Sequence, residues 1–381
     1  MVRPVSRPWL GGNARVPKKH WRRVLFYQYL QWQIDIQLRR AQQRARARHL
    51  SIGLYHDLAL ATDRFGSDLW AYRDFYVPGC RVGSPPDDFA PNGQDWAFPP
   101  PNAHRHREDG YRLFAESIRK NCRHGGALRI DHVMRLFRLY WIPDGFDASH
   151  GAYVRKLSED LLRILALESV RNHVVVVGED LGTVEPGVRD ALARFGILSC
   201  RLFYFEKDER GEFRRYEEYP RQALVSSTTH DLPTLAGFWV GADIEARRRA
   251  GMIDEPGYQS QIESRARDKQ KMLDVLFQTG LLPPDLARSA ADYPELSGEM
   301  HNAIVGFLAL TPSQLLAINQ EDLTKELEQQ NLPGTTWQYP NWGRKMRLSV
   351  EQLRSDAQAR GFTAMFANWI VKSGRRNQAG E

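Results

Sequence analysis

The feature that most constrains this chain is a repeated grammar in which a short apolar run ends in an acidic or amide-bearing segment. Ile52-Gly53-Leu54-Tyr55-His56 runs into Asp57, and Ala127-Leu128-Arg129-Ile130 runs into Asp131. Four consecutive valines, Val174 to Val177, lead through Gly178 to Glu179. Cys200-Arg201-Leu202-Phe203-Tyr204-Phe205 is a further apolar run. Leu224-Val225-Ser226-Ser227-Thr228-Thr229 precedes His230-Asp231, and Leu315-Leu316-Ala317-Ile318 precedes Asn319 to Asp322. Near-continuous apolar strands of this length belong to a parallel sheet covered on both faces, because a strand with one wet face would alternate.

Helical periods separate most of these runs, for example over 158–168 and over 188–195, the latter closed by Gly196. Strands alternating with helices, with polar residues gathered at strand C-termini, predict an α/β fold of the (β/α)8, TIM-barrel type. An open doubly wound sheet is the rival, and it would carry a glycine-rich phosphate loop after its first strand, which is not found here. Only six strands are legible where a closed barrel of this type needs eight, so the barrel is expected to be incomplete. Residues 1–19 read as a disordered lead-in and 20–381 as the C-terminal portion of a catalytic barrel domain with helical insertions. A long helix is expected from about His20 to His49, with Leu25, Tyr29, Trp32 and Ile36 on one apolar face. Residues 76–101 lack a regular period but interleave Pro and Gly with Phe89, Trp96 and Phe98, which predicts a lid loop over a site.

Composition narrows the class. The chain has 381 residues, 42% hydrophobic and 26% charged, as in an ordinary globular protein. No apolar run approaches a membrane span. Cys80, Cys122 and Cys200 are widely spaced without a CxxC pair and read as reduced thiols, which points to a cytoplasmic protein. The net charge of +7 arises from 53 Lys and Arg against 46 Asp and Glu. The excess concentrates at Lys18, Lys19, Arg22 and Arg23 and then at Arg39, Arg40, Arg44, Arg46 and Arg48. On a helix this reads as a solvated face, and no nucleic-acid partner is expected.

The carboxylates at the strand ends carry the chemistry. One such residue alone is most often a helix cap or an ion-pair partner. Asp57, Asp131, Glu179 and Asp231 together, each at the end of a barrel strand, are expected to converge, and convergent like charges usually serve catalysis or metal binding. A glycosidase needs one ionised carboxylate as nucleophile and a second, with its pKa raised, as acid and base. A metal hydrolase would instead use His132 and His230 beside the acids. Arg129 lies two residues before Asp131 and so shares its strand face; a guanidinium there suits a nucleophile and repels a metal cation. The one HxH pair, His104-Arg105-His106, is placed in a Pro-rich loop. Trp70, Trp96, Trp141, Trp239, Trp337 and Trp342 lie in or near the rim segments; each alone is better explained by packing, but as a polar-flanked set they fit an oligosaccharide groove.

Three runs then become recognisable: Gly126-Ala127-Leu128-Arg129-Ile130-Asp131-His132, Val177-Gly178-Glu179-Asp180-Leu181-Gly182-Thr183 and Thr229-His230-Asp231-Leu232-Pro233-Thr234. In order and spacing they resemble the catalytic segments of the 4-α-glucanotransferases, or amylomaltases, of glycoside hydrolase family 77. The loop from Gly83-Ser84-Pro85-Pro86-Asp87-Asp88-Phe89 to Gly93-Gln94-Asp95-Trp96 is similar to that family's flexible loop over the acceptor groove. Asn331-Leu332-Pro333-Gly334-Thr335-Thr336 with Tyr339-Pro340-Asn341-Trp342 is similar to its late substrate-side segment. The resemblance covers about residues 20–350. It implies Asp131 as nucleophile, Glu179 as general acid/base and Asp231 as a transition-state stabiliser. It implies substrate contacts from Asp57, Arg129 and His230, and from the loop through Asp87, Phe89 and Trp96. The implied reaction is retaining transfer between maltooligosaccharides and other α-1,4-glucans, with no metal or organic cofactor. The family's first barrel strands lie upstream of anything in this chain, so the alternative is a non-catalytic remnant that binds glucan or folds poorly.

Overall fold

The computed structural model describes residues 19–59, 62–86, 92–156, 158–182 and 184–375. The lead-in therefore lies almost wholly outside the described residues, as do Asp87 and Phe89 of the loop. The chain divides into two compact units, residues 1–199 and 200–381. No helix among the described residues is long and apolar enough to cross a membrane.

In the first unit β1 (Tyr55–Leu58), β4 (Ala127–Ile130) and β7 (Val175–Gly178) lie side by side and parallel, and β8 (Leu198–Leu202) joins β7. The register sets Asp57 opposite Arg129, and Arg129 opposite Val177. Gly126 and Gly178 are required by close approach: a Cβ on the first would lie 1.9 Å from the Ile52 carbonyl oxygen, and on the second 2.9 Å from Val133 Cγ2. Helices α3 (Arg112–Cys122), α4 (Ser158–Asn172) and α5 (Val188–Arg194) cover the strands. Ile118, Leu128, Ile130, Leu162, Leu165, Val176 and Leu192 form their buried core. Between α3 and α4, buried Glu168 accepts from Arg119 Nε at 3.0 Å and Nη2 at 2.7 Å, so its charge is not left unpaired.

A second, antiparallel sheet interrupts this unit in the order β3–β2–β5–β6, where β2 is Cys80–Ser84, β3 Gln94–Asp95, β5 Arg138–Pro143 and β6 Ala152–Arg155. Residues 76–101 are thus not an aperiodic loop throughout. Their flanks pair with each other and with β5, and Val82, Phe98 and Leu139 bury a small core of their own. The pair His104 and His106 sits on a short helix, α2 (Ala103–Glu108), capped by the Asn102 side chain, and not in a Pro-rich loop.

Helix α1 (Trp21–Ala47) has the expected length, but its apolar face is not buried among the described residues. Leu25, Tyr29 and Trp32 are exposed, as are Trp21, Phe26 and Tyr27. Its anchored end is C-terminal, where buried Gln42 donates to the Ile52 carbonyl and accepts from the Leu54 N–H at 2.7 Å.

The second unit carries two parallel strands, β9 (Ala223–Ser226) and β10 (Leu315–Ala317). Its core gathers Phe203, Trp239, Met272, Leu276, Ile304 and Phe307 from the chain around α6 (Leu235–Val240), α8 (Glu255–Gln278) and α9 (Gly298–Leu310). Helix α7 (Ala242–Arg249) lies between α6 and α8, and α11 (Ala357–Lys372) follows the short α10 (Gln320–Leu323). Trp369 of α11 donates to Asn302 of α9 at 2.8 Å. Among the described residues six strands of the parallel type, with their helices, give the α/β fold class of an incomplete TIM-type barrel that the strand count predicts.

Candidate active site

Strand geometry builds the first part of the site. Because Asp57 and Arg129 are register partners on adjacent parallel strands, their side chains share a face. One Arg129 nitrogen, Nη1, donates to both oxygens of Asp57 and to Asp131 Oδ1, each at 2.9 Å. The guanidinium is 11% exposed, whereas Asp57 and Asp131 are 41% and 33% exposed. Burial works against the Arg129 cation, but Asp131 and Asp57 outweigh it and hold its pKa above the ordinary value.

Glu179, one residue past the end of β7, has a different environment. It is 9% exposed, and burial pushes its carboxyl up to about 7. Opposing that rise, the Leu181 N–H donates to Oε1 at 2.7 Å and the His132 N–H to Oε2 at 2.9 Å. The His132 donor is aimed by backbone that most residues avoid: His132 has φ of 45° in the left-handed region. Two further backbone bonds lock the loops together, from the Glu179 N–H to Ile130 and from the Val133 N–H to the Glu179 carbonyl. Asp180 beside it is fully buried and accepts from Arg189 Nε at 2.8 Å, which fixes the chain leaving β7.

Burial pulls the His132 ring down to about 4, so the imidazole is neutral at pH 7. The ring packs edge-on against Trp96, with centroids 5.4 Å apart, and Trp96 stacks on Phe98. The loop tryptophan is thereby brought to the residue that follows Asp131.

In the second unit, His230 Nε2 lies 3.2 Å from Asp231 Oδ2, and Asn331 donates to Asp231 Oδ1 at 2.6 Å. Gln329 donates to the Asp231 carbonyl at 3.3 Å, and the rings of His230 and Trp342 stand 5.0 Å apart. Behind this loop Asp322 accepts from Ser227 Oγ at 2.8 Å and from the Leu235 N–H at 3.2 Å. Burial raises Asp322 to about 6 against those two bonds.

Of the site residues read from the sequence, Asp57, Arg129, Asp131, Glu179 and Trp96 come together within the first unit, and His230 and Asp231 within the second. Sequence reasoning missed the backbone donors of His132 and Leu181, which no side-chain pattern advertises. It also assigned no role to Asn331, although that residue stands in the segment singled out as substrate-side. Among the described residues no group of three or more His, Cys, Asp or Glu is arranged to hold a metal ion.

A family model described as 4-alpha-glucanotransferase matches residues 12–350. The chain is 40% identical over 343 residues to the 4-alpha-glucanotransferase of Mycobacterium tuberculosis (strain ATCC 25618 / H37Rv), covering 89% of this chain and 46% of that protein. To the Haemophilus influenzae 4-alpha-glucanotransferase it is 38% identical over 333 residues, 86% and 47% of the two chains. The chain thus spans about half the length of the curated relatives it matches. Among solved structures it is similar to amylomaltase from Corynebacterium glutamicum, with a TM-score of 0.83 and 36% identity over 90% of this chain and 50% of that one. The amylomaltase from Streptococcus agalactiae, solved in complex with acarbose, shares the fold at a TM-score of 0.72 and 17% identity, over 96% of this chain and 66% of that one.

Proposed function

This chain belongs to the 4-alpha-glucanotransferase family, glycoside hydrolase family 77, and from that premise we propose that it serves retaining transfer of α-1,4-glucan segments between maltooligosaccharides. The observation that carries the proposal is the contrast between two neighbouring strand ends. Asp131 accepts a hydrogen bond from Arg129, while Glu179 is buried with its pKa raised to about 7. A retaining glycosidase needs this pair of environments.

In the first step an Asp131 oxygen attacks the anomeric carbon of the donor glucan. Glu179 gives its proton to the departing glycosidic oxygen, and a glucosyl ester forms on Asp131. In the second step Glu179 takes the proton of an acceptor 4-hydroxyl, that oxygen attacks the same carbon, and the ester bond breaks. A group with a pKa near neutrality serves both directions, being present in each form at the working pH. Arg129 steadies Asp131 and Asp57 through both steps, and Asp57 contacts the reacting ring. Asp231, steadied by Asn331, and His230 bind sugar hydroxyls at the reacting ring. Trp96 shields the ester from water so that a glucan acceptor is preferred. The reaction needs no metal or organic cofactor, and residues 20–381 act as the C-terminal portion of the catalytic barrel domain of a cytoplasmic enzyme.

Incubation with maltotriose tests the proposal. Glucose together with maltopentaose and longer oligomers is the expected product pattern. Reducing ends released into water without longer products would refute transfer.

A further inference from the structure

Outside the carboxylate site, the first unit contains a cavity of about 360 Å³ whose charged lining has no use in the chemistry above. It lies among the segment after β1, the proline run at 99–101, helices α2 and α3, the turn after Asp131 and the start of α4. Three cationic side chains line it: Arg107, which is exposed, and Arg135 and Lys156, which are part-buried. The backbone sets the latter two side by side, since the Lys156 N–H donates to the Phe137 carbonyl at 2.8 Å, two residues beyond Arg135. The Arg135 guanidinium is satisfied only in part, donating from Nη1 to the Ala59 carbonyl at 3.0 Å. No ion pair or side-chain hydrogen bond engages the Lys156 ammonium among the described residues.

Asp131 acts on Arg135 and Asp109 on His106, but among the described residues no acidic group acts on Lys156. Asp68 lines the cavity but stands exposed at its edge, and Asp160 nearby is taken by the Tyr111 hydroxyl at 3.1 Å. His106 adds a third part-buried nitrogen base, and its Nε2 is buried without a hydrogen-bond partner. The three bases repel one another. Burial, then the Arg135 charge, draws Lys156 down to about 7; burial, then Lys156, draws His106 down to about 4. Part-buried basic side chains set together with few polar partners make a place where an anion completes the charge balance.

The other walls indicate what the anion is attached to. Phe98, Phe114 and Pro99 offer apolar faces, and the Tyr76 hydroxyl, bonded to Thr62 at 3.0 Å, adds a polar edge. The volume falls in the range of small-molecule sites and exceeds what a bare oxyanion fills. An arginine fork beside a lysine point charge matches a phosphate dianion, and apolar faces with hydroxyls at their edges match a sugar ring. We propose that this cavity is a binding site for a hexose monophosphate, with Arg135 and Lys156 holding the phosphate and the Phe98–Phe114 side holding the ring.

Isothermal titration of the full 381-residue chain with glucose 6-phosphate, inorganic phosphate and glucose tests this directly. One equivalent of glucose 6-phosphate is expected to bind, inorganic phosphate at least tenfold more weakly, and glucose not measurably at the same concentrations. Lys156→Met should weaken glucose 6-phosphate binding tenfold or more, and Lys156→Arg should restore most of it. Ser117→Phe fills the cavity from α3 without altering a charge and should abolish binding, which keeps the test decisive if the methionine variant folds poorly. No binding of glucose 6-phosphate to the unaltered chain, or binding unchanged by Ser117→Phe, overturns the proposal. Equal affinity for inorganic phosphate overturns the assignment of the ring.

Discussion

The ends of β4 and β7 lie side by side in one parallel register, and each presents a carboxylate one residue past the strand. Their environments nevertheless differ sharply. At the end of β4, Asp131 stays one-third exposed and shares a guanidinium with Asp57. At the end of β7, Glu179 is buried and its hydrogen bonds come from the backbone N–H groups of His132 and Leu181, with the Arg129 charge acting on it from further off. Full positive charge within hydrogen-bond reach favours the ionised form, whereas desolvation favours the neutral one. Two acids of similar intrinsic strength are thereby driven into different roles by what surrounds them.

The largest expected effect comes from removing the charge at the end of β4. Asp131→Asn should lower the rate of maltotriose disproportionation by about 10⁴-fold or more, because no other group there can form the ester. Circular dichroism should show the fold retained. A rate within tenfold of the parent would dissolve the contrast.

Glu179 sharpens it through pH. Its folded pKa of about 7 lies above the ordinary value of 4.5, so its contribution to stability is present below about 4.5 and is lost as pH rises through 7. Glu179→Gln, which has no proton to lose, should therefore melt higher than the parent at pH 8. At one pKa unit per ~1.4 kcal/mol the ceiling on that gain is about 3 kcal/mol, and it should vanish near pH 4. In the parent, kcat/KM should fall on the alkaline side of about 7 as the proton donor is lost. A melting difference that does not change with pH would place the raised pKa elsewhere.

Arg129→Met removes the shared guanidinium and leaves Asp57 and Asp131 facing each other. Transfer should fall by about 10²-fold, the scale of losing one electrostatic stabiliser in an active site. Unchanged kinetics would mean that the pairing of Arg129 with Asp131 has no part in catalysis. The smallest effect is expected from Gly178→Ala. Its new Cβ would press on Val133, the residue after His132, and the cost should be about 1–3 kcal/mol in chemical denaturation. No loss of stability would show that the packing under Glu179 is looser than the contact implies.

Much of this was legible in the sequence because strand ends are. All six barrel strands among the described residues were read from apolar runs, with only small shifts such as β8, which begins at Leu198 and not at Cys200. Helix periods over 158–168 and 188–195 likewise correspond to α4 and α5. What failed depended on partners. Leu25, Tyr29 and Trp32 have the spacing of a buried face, but periodicity does not say whether anything covers it, and here the three are exposed. Strands β2 and β3 were hidden because glycines and prolines crowd 79–101, and β2 holds together by pairing with β5, a contact across some sixty residues of sequence. The backbone donors to Glu179 were invisible because they depend on the left-handed turn at His132, which the residue type alone does not disclose.

Trapping the ester tests the division of labour between the two strand ends most directly. Glu179→Gln is incubated with α-maltosyl fluoride, whose fluoride departs without an acid, and then digested with trypsin and analysed by mass spectrometry. A maltosyl adduct on the peptide spanning residues 130–135, where Asp131 is the only carboxylate, is the predicted result. An adduct on the peptide that carries Asp57, or none on any carboxylate, would contradict it.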